Sequence, residues 1–184
     1  MKSGPVVGWY FHGVGDREAF RKICNREDTL RLAPVKNDPG DLGRGLYLTK
    51  LKTEAKMYGP GTTLHVMVDA KNALNLDFKG RGKEASRAWF DAMQSIYGDP
   101  VQGRLSQMAR EYDEWESGGM IGPEPPYEVR LKDRVEAAES WRKHLLSKGI
   151  DALKVSGWDL GDTIVLLNPE SQIKKIECPA KAHR

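Results

Sequence analysis

The 184-residue chain contains only two cysteines, Cys24 and Cys178, which stand near its opposite ends. With no C-x-x-C and no paired histidines at ligand spacing, neither a disulfide framework nor a zinc site is expected, and both residues are read as reduced thiols. Long apolar runs are also missing. The longest, Val6 to Phe11, carries a glycine and falls far short of the roughly 20 residues that a membrane helix needs. The N-terminus has one lysine, a short apolar run and then His12 and Asp16, without a small-residue cleavage pattern, so a removable signal peptide is not expected. The cytosol is the expected compartment. No block of consecutive Lys and Arg is long enough to make a phosphate-binding arm, and no G-x-G-x-x-G follows a strand and opens a helix, which excludes a Rossmann fingerprint.

What is present describes an ordinary folded chain. Apolar residues make up 39% and charged residues 30%, which excludes a disordered tail protein. The formal charge is +3, leaving room for anionic partners such as nucleotides or nucleic acid without requiring them. The length suits one domain spanning residues 1–184.

Periodicity and punctuation divide the chain into strands at both ends around a helical middle. Strands are expected at Pro5 to Gly13, Leu46 to Thr49, Thr62 to Val68, Ala152 to Val155, Thr163 to Asn168 and Ile173 to Glu177. Asp16 caps a helix over Arg17 to Asn25, and a short helix runs from Thr53 to Tyr58 before Gly59, Pro60 and Gly61 stop it. Ala33 to Gly45 is loop chemistry. Between about residues 80 and 149 the pattern is helical, with helices expected at Lys83 to Tyr97, Val101 to Glu116 and Asp133 to Lys148, and a Gly- and Pro-rich loop at Ser117 to Pro126. The expected class is α+β, with the terminal strands meeting in one core and a helical insertion between the central and C-terminal strands.

Two features carry chemistry. His12 ends an apolar strand as Phe11-His12-Gly13, at a sheet rim beside a backbone with no Cβ in the way. The run Gly43-Arg44-Gly45-Leu46-Tyr47-Leu48-Thr49 pairs two glycines, which let a ligand approach, with a strand presenting Tyr47; Tyr58 follows eleven residues on. Two such tyrosines can hold a flat heterocycle, since ring stacking contributes on the order of 1 kcal/mol per pair beyond area burial. Taken alone, each feature reads more readily as packing: a strand-end histidine bonded to a neighbour, and two half-buried tyrosines.

Taken in order, F-H-G, then G-R-G-L-Y-L-T about 35 residues on, then an A-x-x-Y helix end, the chain resembles the diphtheria-toxin-like and poly(ADP-ribose)-polymerase-like ADP-ribosyltransferases of the H-Y-[ED] type. The resemblance spans Trp9 to Tyr58, skips the helical middle and resumes at Gly149-Ile150-Asp151-Ala152 and Thr163 to Ile173. It implies a split β-sheet core and NAD as co-substrate, with no metal. It also implies that His12 holds the adenosine ribose, that the Gly13 backbone binds the nicotinamide carboxamide, and that Tyr47 and Tyr58 enclose the nicotinamide ring, with Gly45 and Thr49 in the binding wall. Arg44 beside the glycines is placed to meet the pyrophosphate, although a solvated loop arginine is an equal reading.

Two positions depart from the family. Where it usually carries a glutamate at the start of the closing strand, this chain has Asp162, a shorter carboxylate of the same charge, and where a serine often precedes the second tyrosine by three residues it has Ala55. If Asp162 is a turn residue, Glu128 in Tyr127-Glu128-Val129 is the next acid. Breaking the nicotinamide–ribose bond builds positive charge on the sugar, so a carboxylate, here Asp162, is the useful group. The shorter acid points to single transfer or hydrolysis over chain elongation.

The expected activity is therefore that of a toxin-like mono-ADP-ribosyltransferase. Its partners would be a macromolecular acceptor, protein or nucleic acid, and an inhibitor or antitoxin, and it would work in a cytosol, its own or a target cell's; no membrane partner is expected. Two other readings stay open. One is a NAD-binding module that has lost catalysis, motivated by the missing glutamate. The other is a nucleic-acid-binding domain, motivated by the basic pI and five tryptophans.

Overall fold

The computed structural model describes residues 3–34, 43–77, 114–115, 117–122, 127–156 and 162–179. The helix expected at Lys83 to Tyr97 lies outside these residues. So does the one at Val101 to Glu116, except for Glu114 and Trp115.

Strand β1, Ser3–Gly13, leads into helix α1, Arg17–Cys24, whose N-cap Asp16 accepts a hydrogen bond from the Ala19 backbone N–H at 2.8 Å. The cap was legible because Asp satisfies an otherwise orphaned first-turn donor. Strand β2, Leu46–Thr49, is followed by helix α2, Lys52–Tyr58, and by strand β3, Thr63–Asp77. Strand β3 runs nine residues beyond the Val68 expected as its end. Its buried positions Leu64, Val66, Val68 and Ala70 share one parity, and Leu74 and Leu76 are buried beyond an adjacent buried Ala73. One strand thus serves two cores, a role that a single alternation does not reveal. Helix α3, Tyr127–Ser147, begins six residues earlier than Asp133. Strands β4, Ala152–Ser156, and β5, Thr163–Leu166, the four-residue helix α4, Pro169–Gln172, and strand β6, Ile173–Glu177, complete the described elements.

The sheet closes on itself. Its order β1-β2-β5-β4-β3 returns to β1 through an antiparallel β1–β3 ladder, giving a five-stranded barrel, and β6 adds to the first half of β3. The second half of β3 pairs in parallel with β4, from Ala73 with Ala152 to Asp77 with Ser156. All four residues of β5 are buried, as befits a strand paired on both edges and covered on both faces.

Alternate residues of the ring strands, among them Tyr10, Leu48, Val66, Ala152 and Ile164, form the inner core, against which α1 packs Phe20 and Ile23. The opposite parity, with Leu153, Val155 and Val165, forms a second core under Trp141 and Leu145 of α3. The ends of these elements are locked by polar groups. The Asp151 carboxylate accepts from the Lys71 and Asn72 backbone N–H groups at 2.9 and 3.0 Å, and buried Gln172 donates to the Asp151 carbonyl at 2.8 Å while accepting from the Asn168 N–H at 2.9 Å.

The reading of both cysteines as thiols is overturned. Cys24 and Cys178 form a disulfide across a sequence separation of 154 residues, with a Cα–Cα distance of 5.8 Å. Distance along the chain misled because β6 and β1 pair with opposite edges of β3, which brings the end of α1 beside the residue after β6. Disulfides persist in oxidising compartments, so the bond counts against the expected cytosolic location. Among the described residues no helix is long and apolar enough to cross a membrane.

Candidate active site at the split between β1 and β2

Strands β1 and β2 are neighbours in the ring, yet a single bridge, Phe11 with Thr49, registers them. Past that bridge the strands are stitched by a side chain: His12 Nδ1 lies 2.8 Å from the Tyr47 carbonyl oxygen. A carbonyl can only accept, so Nδ1 carries the proton and donates. Burial lowers the His12 pKa by disfavouring the charged ring, and the bond to Tyr47 acts in the opposite direction. A neutral imidazole protonated at Nδ1 keeps Nε2 as a hydrogen-bond acceptor.

At this split lies a cavity of about 440 Å³. His12 and Gly13 of β1, Gly45 just before β2, Tyr47 and Thr49 of β2 and Tyr58 of α2 all line it, so six residues singled out in the sequence converge on one space. Tyr47 is fixed at both ends, since its hydroxyl donates to the Gly43 carbonyl at 2.7 Å and its ring packs on the core under α3. Tyr58, by contrast, is 62% exposed. Thr49 accepts the Leu51 N–H on its Oγ1 at 3.0 Å, which turns the chain from β2 toward α2.

Two glycines of the wall are required by packing. A Cβ on Gly13 would lie 2.0 Å from the Ala55 carbonyl oxygen and 2.8 Å from the Gly59 nitrogen, so only glycine lets α2 dock on the end of β1. A Cβ on Gly45 would meet Val165 Cγ1 at 2.1 Å. These glycines bring α2 and β5 up to the cavity.

Other expected residues sit elsewhere. Arg44 does not line the cavity; its Nε pairs with Glu139 Oε2 at 2.7 Å and its Nη2 donates to the Ala33 carbonyl at 2.7 Å. Asp162 is exposed just before β5, where its carbonyl accepts the Lys50 N–H at 2.9 Å. Its charge acts on Tyr10, whose hydroxyl pKa burial raises and Asp162 raises further, and on Lys50, whose pKa burial lowers against the pull of Asp162. Lys50 itself donates to the Trp9 carbonyl at 2.7 Å and lies 3.8 Å from the Tyr10 ring centre. Thr163, the residue after Asp162, does reach the cavity. Glu128 falls in the first turn of α3, and its side chain lies outside the described residues.

Two charged lining residues escaped the sequence reading, Arg31 and Glu54. Arg31 is ion-paired with Asp28 in the loop after α1, where no periodicity marks it. Glu54 had a usable signal: it stands four residues before Tyr58 on α2, the spacing that puts two side chains on one helix face.

No protein-family model, curated protein or solved structure matches this chain. The functional reading therefore stands on the cavity and on the residue pattern alone.

Proposed function

We propose that the chain is a NAD-dependent mono-ADP-ribosyltransferase that cleaves the nicotinamide–ribose bond in the cavity between β1 and β2. The observation that carries this reading is the convergence of His12, Gly13, Tyr47 and Tyr58 on one cavity of about 440 Å³, from three separate elements, β1, β2 and α2. That volume falls in the ordinary range for a small-molecule site.

His12 Nε2, held as an acceptor by the Nδ1–H bond to Tyr47, receives a ribose hydroxyl hydrogen. Tyr47, anchored through Gly43, offers a fixed ring face to the nicotinamide, and exposed Tyr58 closes over it once the ring is seated. As the glycosidic bond breaks, its electron pair neutralises the pyridinium nitrogen and positive charge develops on the sugar. The acceptor, a protein side chain, a nucleic-acid base or water, then forms the new bond to the anomeric carbon and loses a proton.

Nicotinamide release from NAD by the purified chain tests the proposal. Tyr47→Ala and His12→Ala are expected to reduce release by about 100-fold or more, the scale of losing ring positioning or a ribose contact. A wild-type chain that neither binds NAD nor releases nicotinamide refutes it. The position of Asp162 outside the cavity lining favours one second reading, a module that binds NAD without turning it over, and binding without release selects it. Of the tryptophans that motivate the nucleic-acid reading, Trp141 is 1% exposed in the core beneath α3 and serves packing.

A further inference from the structure

Among the described residues that line the cavity, Glu54 is the one carboxylate and Arg31 the one permanent cation. Helix α2 is pressed on β1 through the contact that only Gly13 permits, so the helix face bearing Glu54 and Tyr58 is held against the wall formed by His12 and Tyr47. Among the described residues no hydrogen-bond or ion-pair partner holds the Glu54 carboxylate, although the side chain is only partly exposed. Its place in the first turn of α2 suits the helix dipole, which calls for a negative charge there but not for a partner. Asp162 sits among Lys50 and Tyr10 instead.

We infer that Glu54 is the catalytic carboxylate of this site, supplied by α2 rather than by the approach to β5. The inference rests on the NAD-cleaving reading given above. A carboxylate in this wall faces the ribose whose charge grows as nicotinamide leaves, and its negative charge stabilises that state. It then takes the proton of the incoming hydroxyl as the new C–O bond forms at the anomeric carbon, and returns that proton to solvent. With water as nucleophile the balance is NAD⁺ and water giving ADP-ribose, nicotinamide and one proton, with no oxidant or metal consumed.

The test measures nicotinamide release, NAD binding by calorimetry and thermal melting for the full chain and for Glu54→Gln, Glu54→Asp and Asp162→Asn. Glu54→Gln is expected to lower kcat by about 100-fold or more, the scale of losing a general base, with NAD affinity and melting temperature unchanged. Glu54→Asp, which keeps the charge at shorter reach, is expected to retain an intermediate rate, and Asp162→Asn to match the wild type. A Glu54→Gln chain as active as the wild type overturns the inference while leaving the NAD reading intact, as does loss of release in Asp162→Asn alone. A wild-type chain that shows no NAD binding fails earlier, at the reading on which the inference depends, and both are then abandoned.

Discussion

His12 shows how one side chain couples fold and chemistry. It replaces a missing rung between β1 and β2 through its bond to Tyr47, and it does so as a neutral ring. Because burial lowers its folded pKa, the unfolded chain takes up a proton first as the pH falls below about 6.5, the ordinary histidine value. Its stabilising contribution is therefore complete above that pH and is lost as the pH drops toward the folded pKa. Thermal melts of the wild type and His12→Gln between pH 7.5 and about 5 check this: the wild type is expected to lose melting temperature more steeply than the variant. Parallel curves would mean that the ring is not held neutral. The residue type and its strand-end position were legible in the sequence, whereas its partner was not, because a bond to a backbone carbonyl 35 residues away leaves no mark on composition.

Elements are joined by contacts that the sequence shows only as odd residues. Arg44, singled out as a phosphate ligand, instead ties the end of the loop before β2 to α3. The Glu139 carboxylate is ion-paired with Arg44 Nε at 2.7 Å and accepts a hydrogen bond from Arg142 Nε at 3.1 Å, and Arg142 also donates to the Leu167 carbonyl at 3.0 Å. All three side chains are less than one-fifth exposed, so removing the shared acid strands two largely buried guanidinium groups. Glu139→Ala is expected to cost roughly 3 kcal/mol, read as a lower urea midpoint at unchanged slope. A change below about 0.5 kcal/mol would place the network in the class of surface pairs. Guanidinium groups suit phosphate and carboxylate equally, and position in the fold selected the carboxylate. Helices α1 and α2 were readable from the Asp16 cap and from the glycines after Tyr58 because those signals are local.

At the scale of the molecule, the barrel is closed by pairings between distant segments and reinforced by the disulfide. Cys24–Cys178 joins the end of α1 to the residue after β6 and encloses 154 residues of separation. In the chain-entropy description such a loop contributes about 5 kcal/mol by restricting the unfolded chain. Reduction, or the double variant Cys24→Ser with Cys178→Ser, is expected to lower the melting temperature by roughly 10–20 °C. The cavity lining, drawn from β1, the loop after α1, β2, α2 and β5, includes neither cysteine, so NAD binding is expected to survive reduction below that lowered melt. A melt unmoved by reductant would show that the bond adds nothing to stability.

The sequence by itself determined the order and type of most elements, the α+β class and the convergence candidates His12, Gly13, Tyr47 and Tyr58. These rest on alternation, caps, turn residues and motif spacing, all written within a few tens of residues. Only the tertiary structure decided that Cys24 meets Cys178, that Arg44 faces Glu139, that β3 serves two cores, and that Glu54 lines the cavity while Asp162 does not. The physical reason is common to all of them: each depends on which strand edges pair and how closely two backbones approach, and those distances are set by packing across the whole barrel rather than by any neighbouring residues in the chain.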